Sequence, residues 1–116
     1  MNKIVIRRDN LMSGEGTLSY HNPPAVVIET KSWEHAGNLI PAKIYTGCSK
    51  TIMDKRGWPA IFIPDDQTCK KGIFIHKGES QSWSDGCICI TEKEMKKLLD
   101  IVPSENGAIT VEVVNP

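Results

Sequence analysis

Residues 72–90 read GIFIHKGESQSWSDGCICI, two short apolar runs on either side of a polar loop. The first run follows Gly72, carries β-branched and aromatic side chains, and ends at His76, so it reads as a strand. The second re-enters apolar structure at DGCICI, where strict alternation puts Cys87 and Cys89 on one face of an extended segment. The stretch is therefore strand, loop, strand, with an imidazole and a thiol eleven positions apart across one loop.

The same grammar extends outward. KIVIRR, GTLSY, AVVIET, AKIYTG, PAIFIP and AITVEVV are short apolar runs bounded by Gly, Pro, Asn or Asp. In the last of these Ile109, Val111 and Val113 alternate with Thr110, Glu112 and Val114, the period of a half-buried strand. One segment departs from that period. In TEKEMKKLLDIV, residues 91–102, Met95, Leu98, Leu99 and Val102 repeat on a helical face behind a Thr91/Glu94 capping box, and Pro103 ends the helix. The predicted fold is mainly β (α+β): a small antiparallel β-sandwich or barrel-like single domain over residues 1–116, with one main helix near the C-terminus. Residues 9–16 and 31–40, rich in Gly, Ser, Asn and charge, read as exposed loops bordering a groove.

A chain of 116 residues supports one compact core. Fourteen basic and fourteen acidic side chains cancel, so no long-range field gathers nucleic acid or an anionic membrane surface. No apolar stretch reaches the roughly 20 residues that span a bilayer, and MNKIVIRRDN lacks the apolar centre of a signal peptide. The expectation is a protein made in the cytoplasm, without membrane insertion. Cys48, Cys69, Cys87 and Cys89 lack the paired C-x-x-C spacing of structural zinc modules, and the default is reduced thiols with neither metal nor cofactor.

The reactive candidates are His76 and Cys87. Cysteine attacks as its thiolate, and an imidazole within reach removes the proton near neutral pH. Gly86 permits a tight turn, and the successive N–H groups of Asp85, Gly86 and Cys87 offer donors to an oxyanion. The same residues also fit a satisfied strand-end histidine and a small buried thiol. His21 and His35 stand in turn-like surroundings and are not favoured as the base, and Trp33 and Trp58 read as core or surface.

SDGCI after a strand ending in IH resembles the catalytic motif of the YkuD-type L,D-transpeptidases, and LIPAKIYTG resembles the segment that precedes it, with Pro41 and Tyr45 matching. The pattern is nearer still to short phage- and secretion-associated proteins with an I-H-x-G-N, then G-C-I motif. The likeness runs from about residue 7 to residue 102, with its specific part at 76–88. Asp85 stands where those enzymes carry histidine, Cys89 where arginine or asparagine is common, Glu79 where the short group has asparagine, and Lys43 where glycine is usual.

The resemblance implies acyl transfer or hydrolysis on peptidoglycan stem peptides through a Cys87 thioester, with His76 as base. Ser84, Asp85 and Gly86 would shape the oxyanion site, with Ser84 or Gly78 holding the loop. Tyr45 and Trp83 would line the substrate groove, and Glu29 would bind substrate or orient His76. Action in the periplasm or cell wall, after delivery by a secretion system or phage particle, follows from that substrate. The competing expectation is a catalytically degenerate module that grips cell-wall peptide or serves as a structural component.

Overall fold

The structure, a computed structural model, describes residues 3–22, 25–54, 56–78 and 87–116. Among the described residues eight strands close into a barrel in the order β1-β2-β3-β7-β6-β5-β4-β8. In chain order these are β1 (Lys3–Asn10), β2 (Glu15–Asn22), β3 (Ala25–Glu34), β4 (Ile44–Ile52), β5 (Pro59–Ile63), β6 (Ile73–Lys77), β7 (Ile88–Ile90) and β8 (Ile109–Val114). A 3-10 turn at Ala36–Asn38 follows β3, a one-turn helix α1 (Asp65–Thr68) follows β5, and α2 (Glu92–Ile101) joins β7 to β8.

Every apolar run of the sequence becomes a strand because one face of each has something to cover. Ile4, Ile6, Leu18, Ile61, Ile63, Ile73, Ile75, Ile88, Ile90, Val111 and Val113 fill the interior, where each removes about 1.5–3 kcal/mol worth of apolar surface from water. Met95 and Leu98 of α2 join the same core, and α2 packs against β3, β5 and β6. The helix starts where the sequence puts it, with Met95 N–H donating to Thr91 O at 2.8 Å. The capping box itself is not formed: Thr91 makes no side-chain cap bond, and Glu94 pairs with Lys97 at 3.4 Å.

Three local expectations are corrected. The segments read as loops at 9–16 and 31–40 contribute to strands, since β1 runs to Asn10, β2 begins at Glu15 and β3 continues to Glu34. Charge misled at Glu34, which is 2% exposed and forms an interior ion pair with Arg8 of β1, 5% exposed. The expected antiparallel arrangement fails between β6 and β7, which run parallel with His76 opposite Cys89. Tyr45, expected to line a groove, is 0% exposed in the core, its hydroxyl donating to the Pro41 carbonyl.

Candidate active site

The alternation that sends Ile73, Ile75, Ile88 and Ile90 into the barrel sends Phe74, His76 and Cys89 to its other face. Across that face Trp33 of β3, Cys89 of β7 and His76 of β6 stand in one cross-strand row. Cys87 immediately precedes β7 and is buried. Its Sγ is 3.4 Å from the Phe74 N–H and 3.5 Å from the Gly72 carbonyl, so the sulfur has an amide donor for its anionic form and a carbonyl acceptor for its thiol proton.

His76 is held on three sides. Nδ1 lies 2.7 Å from the Lys77 carbonyl. A carbonyl only accepts, so Nδ1 carries the proton and Nε2 keeps its lone pair. The Trp58 ring packs against the imidazole at 5.7 Å between centroids, tilted by 52°. The Cys89 sulfur is 3.7 Å from Nδ1 and 3.8 Å from Nε2. Near-equal distances place it off both nitrogen lone-pair directions, which makes the contact one of packing.

Burial sets the state of the Cys89 thiol. Burial pushes the Cys89 thiol up to about 12, the neighbouring Cys87 adds to the rise, and Arg56 only partly opposes it. At 0% exposure Cys89 stays protonated and unreactive near neutrality. Burial also holds His76 below its ordinary value of 6.5, against the raising effect of the Lys77 carbonyl, and the Arg56 charge lowers it further. The imidazole is therefore neutral at pH 7, the form in which it accepts a proton. Arg56 sits on the Trp58 ring with its Cζ 4.9 Å from the centroid, and Lys77 Nζ lies 4.8 Å from the same centroid.

The remaining sequence candidates fall into three groups. Trp83, Ser84, Asp85 and Gly86 lie outside the described residues. Gly78 donates its N–H to Ile90 O at 2.8 Å, which ties the start of the loop to β7 and leaves that N–H unavailable to an oxyanion. Glu29 is corrected as a partner of His76. It is exposed on β3, paired in register with Ser19, and lies four residues before Trp33, roughly 13 Å along the strand. The Lys77 carbonyl takes the orienting place instead. Sequence reading missed Trp58 and Arg56 as neighbours of His76, since both precede β5 and only strand pairing brings them there. No group of three or more His, Cys, Asp or Glu among the described residues is arranged to hold a metal ion.

The family model for the YkuD L,D-transpeptidase catalytic domain matches residues 2–113. The chain belongs to that family. Among solved structures, Mycobacterium tuberculosis L,D-transpeptidase 1 is similar to this YkuD domain with a TM-score of 0.61 at 17% identity, over 97% of this chain. That likeness establishes the shared fold, and the YkuD domain here spans 62% of that protein. No curated protein matches the chain in sequence.

Proposed function

We propose that this YkuD domain performs cysteine-dependent acyl transfer on peptidoglycan stem peptides, with Cys87 as nucleophile and His76 as base. The observation that carries the reading is the Nδ1 contact to the Lys77 carbonyl, which leaves the Nε2 lone pair as the base. Nε2 takes the thiol proton, Sγ bonds to the carbonyl carbon between the diamino acid and the terminal D-alanine, and the C–N bond then breaks. The imidazolium returns its proton to the departing amine, so free D-alanine leaves and a thioester remains. An amine acceptor then gives a cross-link, and water gives a carboxypeptidase product. In either case the site of action is where peptidoglycan lies, in the periplasm or cell wall.

Incubation with purified tetrapeptide muropeptides, followed by mass spectrometry, tests the reading. D-alanine loss that disappears in Cys87→Ala and His76→Ala supports it. A second reading, a peptide-binding module without turnover, draws on the replacement of the family's arginine or asparagine by a buried, protonated Cys89. Unchanged masses together with measurable retention of muropeptides would select that reading.

A further inference from the structure

Trp58 immediately precedes β5 and is delivered there by a turn with two backbone bonds. Met53 N–H donates to the Trp58 carbonyl at 2.9 Å, and Gly57, at φ +67°, donates its N–H to Met53 O at 2.7 Å. From that fixed position the indole packs on the His76 imidazole, 5.7 Å between centroids and tilted by 52°. Two cations lie over the same indole, Arg56 with Cζ 4.9 Å and Lys77 with Nζ 4.8 Å from the centroid. Lys77 is tied in turn to α2, its Nζ donating to Glu92 Oε2 at 3.0 Å, while its backbone carbonyl accepts the Nδ1 proton of His76 at 2.7 Å. One residue therefore supplies both the hydrogen bond of the imidazole and a charge on the ring that packs against it.

An aromatic face attracts positive charge, so an uncommitted indole beside a histidine would favour the imidazolium. Here the indole already holds a guanidinium and an ammonium, and a third positive charge on the imidazole meets repulsion instead. The indole also takes the place of water against the imidazole, which again favours the neutral form. We propose that Trp58 is the positioning residue of the His76 base: with Arg56 and Lys77 over its ring, it holds the imidazole on the Lys77 carbonyl in the orientation that leaves Nε2 as the acceptor. The charged and titratable groups around this assembly are Arg56 ahead of β5, Lys77 of β6, Cys89 of β7 and Glu92 of α2, whose carboxylate also feels Lys96. Burial and, more weakly, Arg56 hold His76 below 6.5 against the raising effect of the Lys77 carbonyl, the direction this arrangement requires. The inference rests on His76 acting as the base and adds what keeps that base neutral and aimed.

Imidazole ¹⁵N NMR, which reads the His76 tautomer and titration without turnover, tests the proposal alongside the pH profile of muropeptide turnover. The wild type is expected to show the Nδ1–H tautomer and a titration below 6.5. In Trp58→Leu the tautomers should mix and the titration and the acid limb of kcat/KM should both move up toward 6.5. Its kcat should fall by up to about a hundredfold with KM little changed, the cost of misplacing a reacting group by about 1 Å. Trp58→Phe, which keeps an aromatic face, should retain the tautomer and most of the rate. Arg56→Met keeps an apolar stem over the indole and removes the charge, so the titration should rise, and Arg56→Lys should restore it. A folded Trp58→Leu with unchanged tautomer and titration, or a loss confined to KM, overturns the positioning role. Should Trp58→Leu fail to fold, a Trp58→Phe protein that loses the tautomer, or an Arg56→Met titration that does not move, overturns it equally. If the ¹⁵N shifts follow Trp58 and Arg56 while the wild type leaves muropeptides unchanged, the hold on the imidazole stands and the catalytic reading falls. If turnover requires Cys87 and His76 but the imidazole ignores both substitutions, the reverse holds.

Discussion

His76 faces Cys89 across the parallel β6–β7 pair, with the sulfur 3.7 and 3.8 Å from the two ring nitrogens, although the motif assigns the chemistry to Cys87. The two thiols differ in surroundings. Cys89 is fully buried and its thiol is pushed up to about 12, whereas Cys87 is 7% exposed and has an amide donor at its sulfur. Cys89 packs against the ring, as Trp58 does.

Alkylation should resolve the thiols. In a Cys69→Ser background, which removes the exposed cysteine, iodoacetamide at pH 7 is expected to label Cys87 while Cys48 and Cys89, both near 12, stay unmodified until the protein unfolds. Peptide mapping by mass spectrometry reads the order. Labelling of Cys89 ahead of Cys87 would transfer the nucleophile assignment to Cys89. Cys89→Ala should retain turnover and Cys87→Ala should not.

Activity and stability should share an acid dependence set by His76. Its folded value lies below 6.5, so the base form persists to lower pH than an ordinary histidine allows, and the acid limb of kcat/KM should fall below 6.5. For stability, the unfolded chain takes up its proton near 6.5 while the folded chain resists. Stability from this group is thus complete above 6.5 and lost as pH falls through the folded value. His76→Ala should flatten that part of the denaturation profile and lower turnover by about 10²–10⁴.

The interior pair of Arg8 and Glu34 should be costly to break and inexpensive to replace. Arg8 Nε and Nη2 each lie 2.9 Å from a Glu34 oxygen, Nη2 also donates to Ile40 O at 2.6 Å, and Nη1 to Asn115 Oδ1 at 3.0 Å. Glu34→Ala leaves a buried guanidinium without its carboxylate and should cost about 3–5 kcal/mol, whereas Arg8→Met/Glu34→Leu should recover most of that loss. Urea denaturation compares the three proteins.

Gly14 should not tolerate alanine. It adopts φ +72°, and a Cβ there would lie 2.0 Å from the Glu34 carbonyl oxygen, while its own carbonyl accepts the Glu34 N–H at 2.7 Å. The left-handed backbone alone costs an alanine about 1–2 kcal/mol, and the clash moves the end of β3. A lowered melting temperature is expected for Gly14→Ala. Gly37→Ala, at a position with open space around the added Cβ, should change little.

Most of the architecture was legible from the chain because alternation and helical periodicity are properties of neighbouring residues. The runs KIVIRR, PAIFIP, GIFIH and AITVEVV announced strands, and Met95, Leu98 and Val102 announced the helix face that joins the core. The spacing of His76 and Cys87 around one loop was legible for the same reason. Pairing partners, direction and register are long-range quantities that no local pattern encodes. Only the closed barrel made β6 and β7 parallel, set His76 opposite Cys89 and withdrew Tyr45 into the interior. Charges in polar segments read as solvated from sequence, because burial depends on what the rest of the chain places over them. Arg8 and Glu34 meet inside, and Arg56 and Trp58 come to the imidazole, because strands distant in sequence lie side by side in the barrel and a side chain's dielectric surroundings are decided there.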